Sequence, residues 1–205
     1  MTTPSEPQAD LLETAFELLA EDGWRRLSMV AVARRAGVAP AVVYRELGGR
    51  RAMLGALSRR LDDAMLQVDP ADLADLPPRD RVFELLMARL EALAPFRDGL
   101  DRLARDAGRD PCVLLGTLCR LDRSLVWLQD AAGLRAAGLR ARLHRRALGA
   151  AYLQALRVWR TDTAADLGAT MAELDKQLRR VERLAGLREP RAGRGAAPEA
   201  APQPA

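Results

Sequence analysis

The stretch RAGVAPAVVYRELGGR, residues 35–50, decides how the rest of the chain is read. Gly37 supplies a turn, because a residue with positive φ is cheapest as glycine. Pro40 can open a helix at its first position, where its missing N–H does no harm. Gly48 and Gly49 close that helix. Upstream, Ser28 sits where an N-cap belongs, its hydroxyl free to accept from the first backbone N–H groups of a helix from Met29 to Arg35. Two short helices joined by a tight turn have the outline of a helix-turn-helix, whose second helix enters the major groove of DNA.

That second helix has little to read bases with. On a wheel that aims Val43 and Leu47 at the core, Ala41 and Arg45 point directly away, with Val42 close behind. Tyr44 and Glu46 lie on the flanks. Arg45 can fork onto guanine O6 and N7, and Ala41 or Val42 can touch a thymine methyl. One bidentate pair discriminates by about 1–3 kcal/mol, whereas specific and non-specific binding differ by ~4–10 kcal/mol. Weak base readout is the expectation, with DNA deformability free to add to it.

The charge distribution points to the same partner. Residues 24–60 hold nine Arg against one acid, Glu46, while residues 61–111 hold twelve acids against seven Arg. A compact basic block of this kind suits double-stranded DNA, since neutralising phosphates releases counterions. Ala, Leu and Arg dominate and aromatic and β-branched residues are few, so the composition favours an all-α fold. Cys112 and Cys119 lie seven residues apart in an expected helix, roughly 10 Å along its axis. That is too far for a disulfide, and both read as small buried hydrophobes. His144 is the single histidine of the chain, and no Cys/His cluster suggests a metal. No Ser/His/Asp set, Cys/His pair or Gly-rich phosphate loop suggests an enzyme, and no cofactor is implied. Without a long apolar run or a signal-like start, the expected location is the cytoplasm.

Helical periodicity runs through most of the chain. A first helix is expected from about Ala9 to Glu21, with Leu11, Leu12, Ala15, Leu18 and Leu19 on one stripe. A connecting helix over 50–68 carries Leu54, Leu57, Leu61, Met65 and Val68. The segment DPADLADLPP, 69–78, reads as a linker, and further helices are expected at about 80–94, 97–107, 111–131, 138–160 and 164–187. This gives about nine helices. The expected organisation is a disordered 1–8, a helix-turn-helix domain over 9–49, a ligand-binding and dimerisation domain over 79–187, and a disordered tail over 188–205.

Taken together, residues 9–54 resemble the amino-terminal domain of TetR-family transcriptional regulators. The resemblance rests on the Gly23–Trp24 bend, the Ser at position 28, the set Val32, Ala33, Ala36, Gly37 and Val38, and Tyr44. It implies a homodimer gripping two half-sites of a palindromic operator, usually as a repressor, with an inducer cavity and dimer interface built by the carboxy-terminal helices. It also implies that Ser28, Tyr44, Arg45 and Arg50 hold the DNA backbone, with Ala41 and Val42 facing the groove. The sequence departs from the family pattern at Ala39, Pro40 and Glu46, which weakens the expectation of sequence specificity and leaves the fold unaffected.

For the carboxy-terminal part, Phe83, Leu86, Met87, Leu90, Trp127 and Tyr152 form a candidate lining for an apolar or lipid-like effector. Plain core packing is the bland alternative for each. Ala147, Ala151 and Ala155 make a small-residue ridge, and with Leu174, Leu178 and Val181 they are the candidate dimer interface. The acids Asp62–Asp63 and Asp69–Asp75 and the Arg-rich 176–183 read as solvated faces. Residues 152–184 are also similar to the TetR-shaped lipid-binding accessory proteins of ubiquinone biosynthesis, which implies a rival role without operator binding.

Overall fold

The computed structural model describes residues 6–107, 110–134 and 138–185, and every regular element among them is helical. The elements are α1 (Glu6–Asp22), α2 (Met29–Arg35), α3 (Pro40–Glu46), α4 (Arg50–Leu66), α5 (Pro70–Ala74), α6 (Pro78–Glu91), a 3-10 turn (Ala94–Phe96), α7 (Arg97–Ala107), α8 (Pro111–Ala131), α9 (Gly138–Trp159) and α10 (Gly168–Ala185). Proline opens α3, α5, α6 and α8 within the first turn, where no intrahelical donor is lost. Asp69 and Asp110 cap α5 and α8 through their carboxylates.

The core is continuous from Leu11 to Val181. The predicted stripe of α1 is wholly buried, and Phe16 meets Phe96 edge-on with ring centroids 5.1 Å apart. Helix α7 lies so close to α1 that a Cβ at Gly99 would stand 2.6 Å from the Phe16 carbonyl oxygen. The backbone N–H of Trp24 donates to Asp106 at 2.9 Å, and its indole N–H donates to Asp110 at 3.4 Å. The amino-terminal helices are thus tied to α7 and to the start of α8. Helix α4 continues the connection, packing against α6 and α8.

Helices α9 and α10 form a hairpin whose corner is fastened by polar contacts. Arg97 stacks over Trp159 at 4.0 Å and donates to the carbonyls of Trp159 and Asp162. Asp162 accepts from the Thr170 hydroxyl at 2.7 Å and from its backbone N–H at 2.9 Å. These bonds, the hydroxyl first, hold the Asp162 carboxyl below its ordinary pKa.

Several expectations need correction. The segment 69–78 is not only a linker: it contains α5, and Leu73 is buried. Helix α1 starts at Glu6, inside the stretch expected to be disordered. The remaining expected disorder, 1–5 and 188–205, lies outside the described residues. Cys112 and Cys119 are free, as their separation requires, but exposed, because α8 turns that face outward. Asp62 is only partly solvated; it pairs with buried Arg89 and accepts from Ser124 at 2.9 Å. The candidate dimer residues Ala151, Ala155, Leu174, Leu178 and Val181 are buried within one chain, and Ala147 packs partly buried beside them. The small-residue ridge lets α10 approach α9 closely, so within one chain these residues pack the hairpin.

Candidate nucleic-acid interface

Helices α2 and α3 meet around the turn that the glycine predicted. Gly37 has φ +69°, and Gly48 after α3 has φ +67°, both in the left-handed region. Ser28 caps α2 by accepting from the Ala31 N–H at 3.4 Å, so its hydroxyl already has a structural duty. Ala39 offers α3 no side-chain cap.

The wheel places the side chains of α3 correctly. Val43 and Leu47 are buried, Ala41 and Arg45 are exposed, and Val42 and Glu46 are half-buried. Tyr44 is 76% exposed, an aromatic ring standing in solvent. Arg50 is exposed yet anchored: its Nη1 donates to the carbonyls of Trp24 and Arg25, and its guanidinium lies 5.7 Å from the Trp24 ring centroid.

Charge on this surface is less uniform than the sequence suggests. Arg35 forms a two-pronged pair with Glu21, and this hydrogen bond lowers the Glu21 pKa. Arg60 pairs with Glu13, and Arg51 lies 3.9 Å from Asp110. Acids distant in sequence therefore neutralise three of the nine arginines. Arg25, Arg34, Arg45 and Arg59 are without a guanidinium partner among the described residues. They leave the basic character that a phosphate backbone attracts.

The candidate effector residues divide. Leu86, Met87, Leu90 and Tyr152 are buried core, and Phe83 packs half-buried against it. Burial raises the Tyr152 pKa. Trp127 does not join them: it is 56% exposed on the other side of α8. There it borders a cleft of about 740 Å³ between α4 and α8 that runs down to Tyr44 and Arg45. Arg89, with Nε buried and unbonded, sits inside the core above the Tyr152 ring at 5.7 Å. Sequence reasoning missed both Arg89 and the cleft, since each depends on which helices become neighbours.

Residues 11–57 match the family model of bacterial regulatory proteins of the tetR family. No curated protein matches the chain in sequence. Among solved structures, the TetR transcriptional regulator from Nitrosomonas europaea ATCC 19718 superposes with a TM-score of 0.71 at 22% identity, covering 86% of this chain and 98% of its own. A TetR transcriptional regulator from Rhodococcus sp. RHA1 gives 0.57 at 18% identity, covering 87% and 97%. The TetR family regulator PfmR from Thermus thermophilus gives 0.51 at 19%, covering 82% and 97%. At these identities the likeness is one of fold. The similarity of residues 152–184 to the accessory proteins of ubiquinone biosynthesis gains no support from them.

Proposed function

From an amino-terminal domain that belongs to the TetR family through residues 11–57, we propose that this chain is a homodimeric, ligand-responsive repressor working in the cytoplasm. The observation that carries the reading is the outward face of α3, where Ala41, Tyr44 and Arg45 stand exposed beside arginines that no acid neutralises. Arg45 supplies the base contact, with Ala41 and Val42 touching methyl groups. Ser28, Tyr44 and Arg50 hold phosphates and set the register without specifying sequence. A two-fold dimer then reads a palindrome, because its two α3 helices are related by the same axis.

The dimer uses the outer stripe of α9. Leu139, Leu143, Ala150 and Leu153 are exposed there, opposite the stripe that packs on α10. No helix among the described residues is long and apolar enough to cross a membrane, and the exposed Arg146 lies within this stripe of leucines, which suits a partner helix.

The test is a salt-titrated binding assay on the intergenic DNA beside the gene, with wild type and Arg45→Ala. Wild type should bind, with affinity falling steeply as salt rises. Arg45→Ala should lose about 1–3 kcal/mol of preference for the operator over random duplex. Absence of any salt-sensitive binding at low ionic strength would remove the reading.

A further inference from the structure

The cleft between α4 and α8 contains charge that DNA binding at α3 leaves unexplained. Arg59 enters it from α4, and Arg120 and Arg123 enter from α8. Gly55 shows how closely two of them converge. A Cβ built there would lie 3.6 Å from Arg120 Nε and 3.7 Å from Arg59 Nη1. Arg120 Nε and Arg59 Nη1 therefore both lie within van der Waals reach of one point over Gly55. Arg120 is held by the Arg51 carbonyl at 3.0 Å, while Arg59 and Arg123 have no partner among the described residues.

The acids on the lining offset this arrangement only in part, since Glu46, Asp62 and Asp63 face Arg45, Arg59, Arg120 and Arg123. Asp62 lies on the cleft wall but spends its carboxylate on Arg89 and Ser124, within the core. Asp63 and Glu46 are the other carboxylates on the lining, and neither forms an ion pair among the described residues. Convergent cations of like charge repel each other, and an anion placed between them would relieve that repulsion. Above them stands Trp127, whose exposed indole offers a flat apolar face in the same cavity.

We propose that this cleft binds a small planar aromatic anion, its negative group held by Arg59, Arg120 and Arg123 and its ring laid against Trp127. Tyr44 and Arg45 form the lower rim of the same cavity. An occupant and a duplex therefore compete for the end of α3, and the anion acts as an effector that releases DNA. That second step rests on the proposed DNA-binding function; the binding of the anion does not.

The probe is 2-naphthoate, titrated by calorimetry into the full chain without DNA, with neutral 2-naphthalenemethanol beside it. Saturable binding of the carboxylate, one per chain, is expected, with the alcohol weaker by roughly tenfold or more, the size of one charge-assisted contact. Arg123→Gln and Trp127→Ala should each weaken naphthoate by a similar factor, and Arg34→Ala should leave it unchanged. Arg123 is exposed, so its replacement tests the site without disturbing the fold. Absence of saturable heat at millimolar naphthoate, equal binding of the alcohol, or unaltered binding by Arg123→Gln would each overturn the proposal. In a separate arm, saturating naphthoate should weaken the wild-type complex with duplex and spare that of Arg123→Gln; anion binding with undiminished DNA affinity overturns the competition. Failure of the chain to bind DNA at all, with naphthoate still bound, would remove the proposed function and leave the site standing.

Discussion

Arg50 Nη1 donates to the carbonyl oxygens of Trp24 and Arg25, at 2.8 and 3.0 Å, so the first residue of α4 is tied to the bend that follows α1. The sequence offered Arg50 only a role on phosphate. With both duties, Arg50→Ala should weaken all duplexes alike, lowering the salt slope by about one. It should also destabilise the free protein by about 1–2 kcal/mol through the carbonyls left unpaired. Salt-dependent DNA binding and urea denaturation, run on the same variant, check the two effects separately.

Gly99→Ala should be costly although alanine is the better helix former. Its Cβ would meet the Phe16 carbonyl oxygen at 2.6 Å and Phe16 Cδ1 at 2.8 Å, and a carbonyl inside a helix has nowhere to retreat. An overpacking loss of about 1–3 kcal/mol is expected, seen as a lower Tm.

The α9–α10 corner should be acid-sensitive. Asp162 is held below its ordinary pKa, first by the Thr170 hydroxyl and then by the Thr170 N–H. A depressed folded-state pKa contributes stability above the unfolded value of about 3.9, and that contribution is lost as pH falls through the folded one. Asp162→Ala should therefore be less stable than wild type near neutral pH, and the gap should narrow at about pH 3. Thermal denaturation of both proteins across this range checks it.

The two faces of α9 and α10 should answer differently to substitution. Leu143→Glu or Leu153→Glu, on the exposed stripe, should split the proposed dimer and leave a folded monomer, visible by analytical ultracentrifugation. Leu174→Ala, on the fully buried face, should instead cost about 2–5 kcal/mol in unfolding free energy.

These contrasts show where the sequence was legible. Bounds of α2 and α3 follow from local chemistry, Ser28, Gly37, Pro40 and the Gly pair at 48–49, and the structure places them as expected. The outward direction of Ala41 and Arg45 followed from the wheel alone. The ridge of Ala147, Ala151 and Ala155 was visible, but periodicity reports that a face is buried, not whether α10 or another chain buries it. Trp127 reads with Phe83, Leu86, Met87, Leu90 and Tyr152 as an apolar lining between helices, yet α8 turns Trp127 away. Burial of Arg89 has no local signal, because its partner Asp62 is 27 residues earlier on α4. Convergence of Arg59 with Arg120 has no local signal either.

The close seating of Gly99 on Phe16, with the Trp24 ties to Asp106 and Asp110, has a mechanical consequence. A reading head welded to its trunk cannot nod by itself. In the proposed dimer, a signal that alters the distance between two α3 helices would then swing whole protomers like the arms of a pair of shears, with the outer stripe of α9 as the pivot.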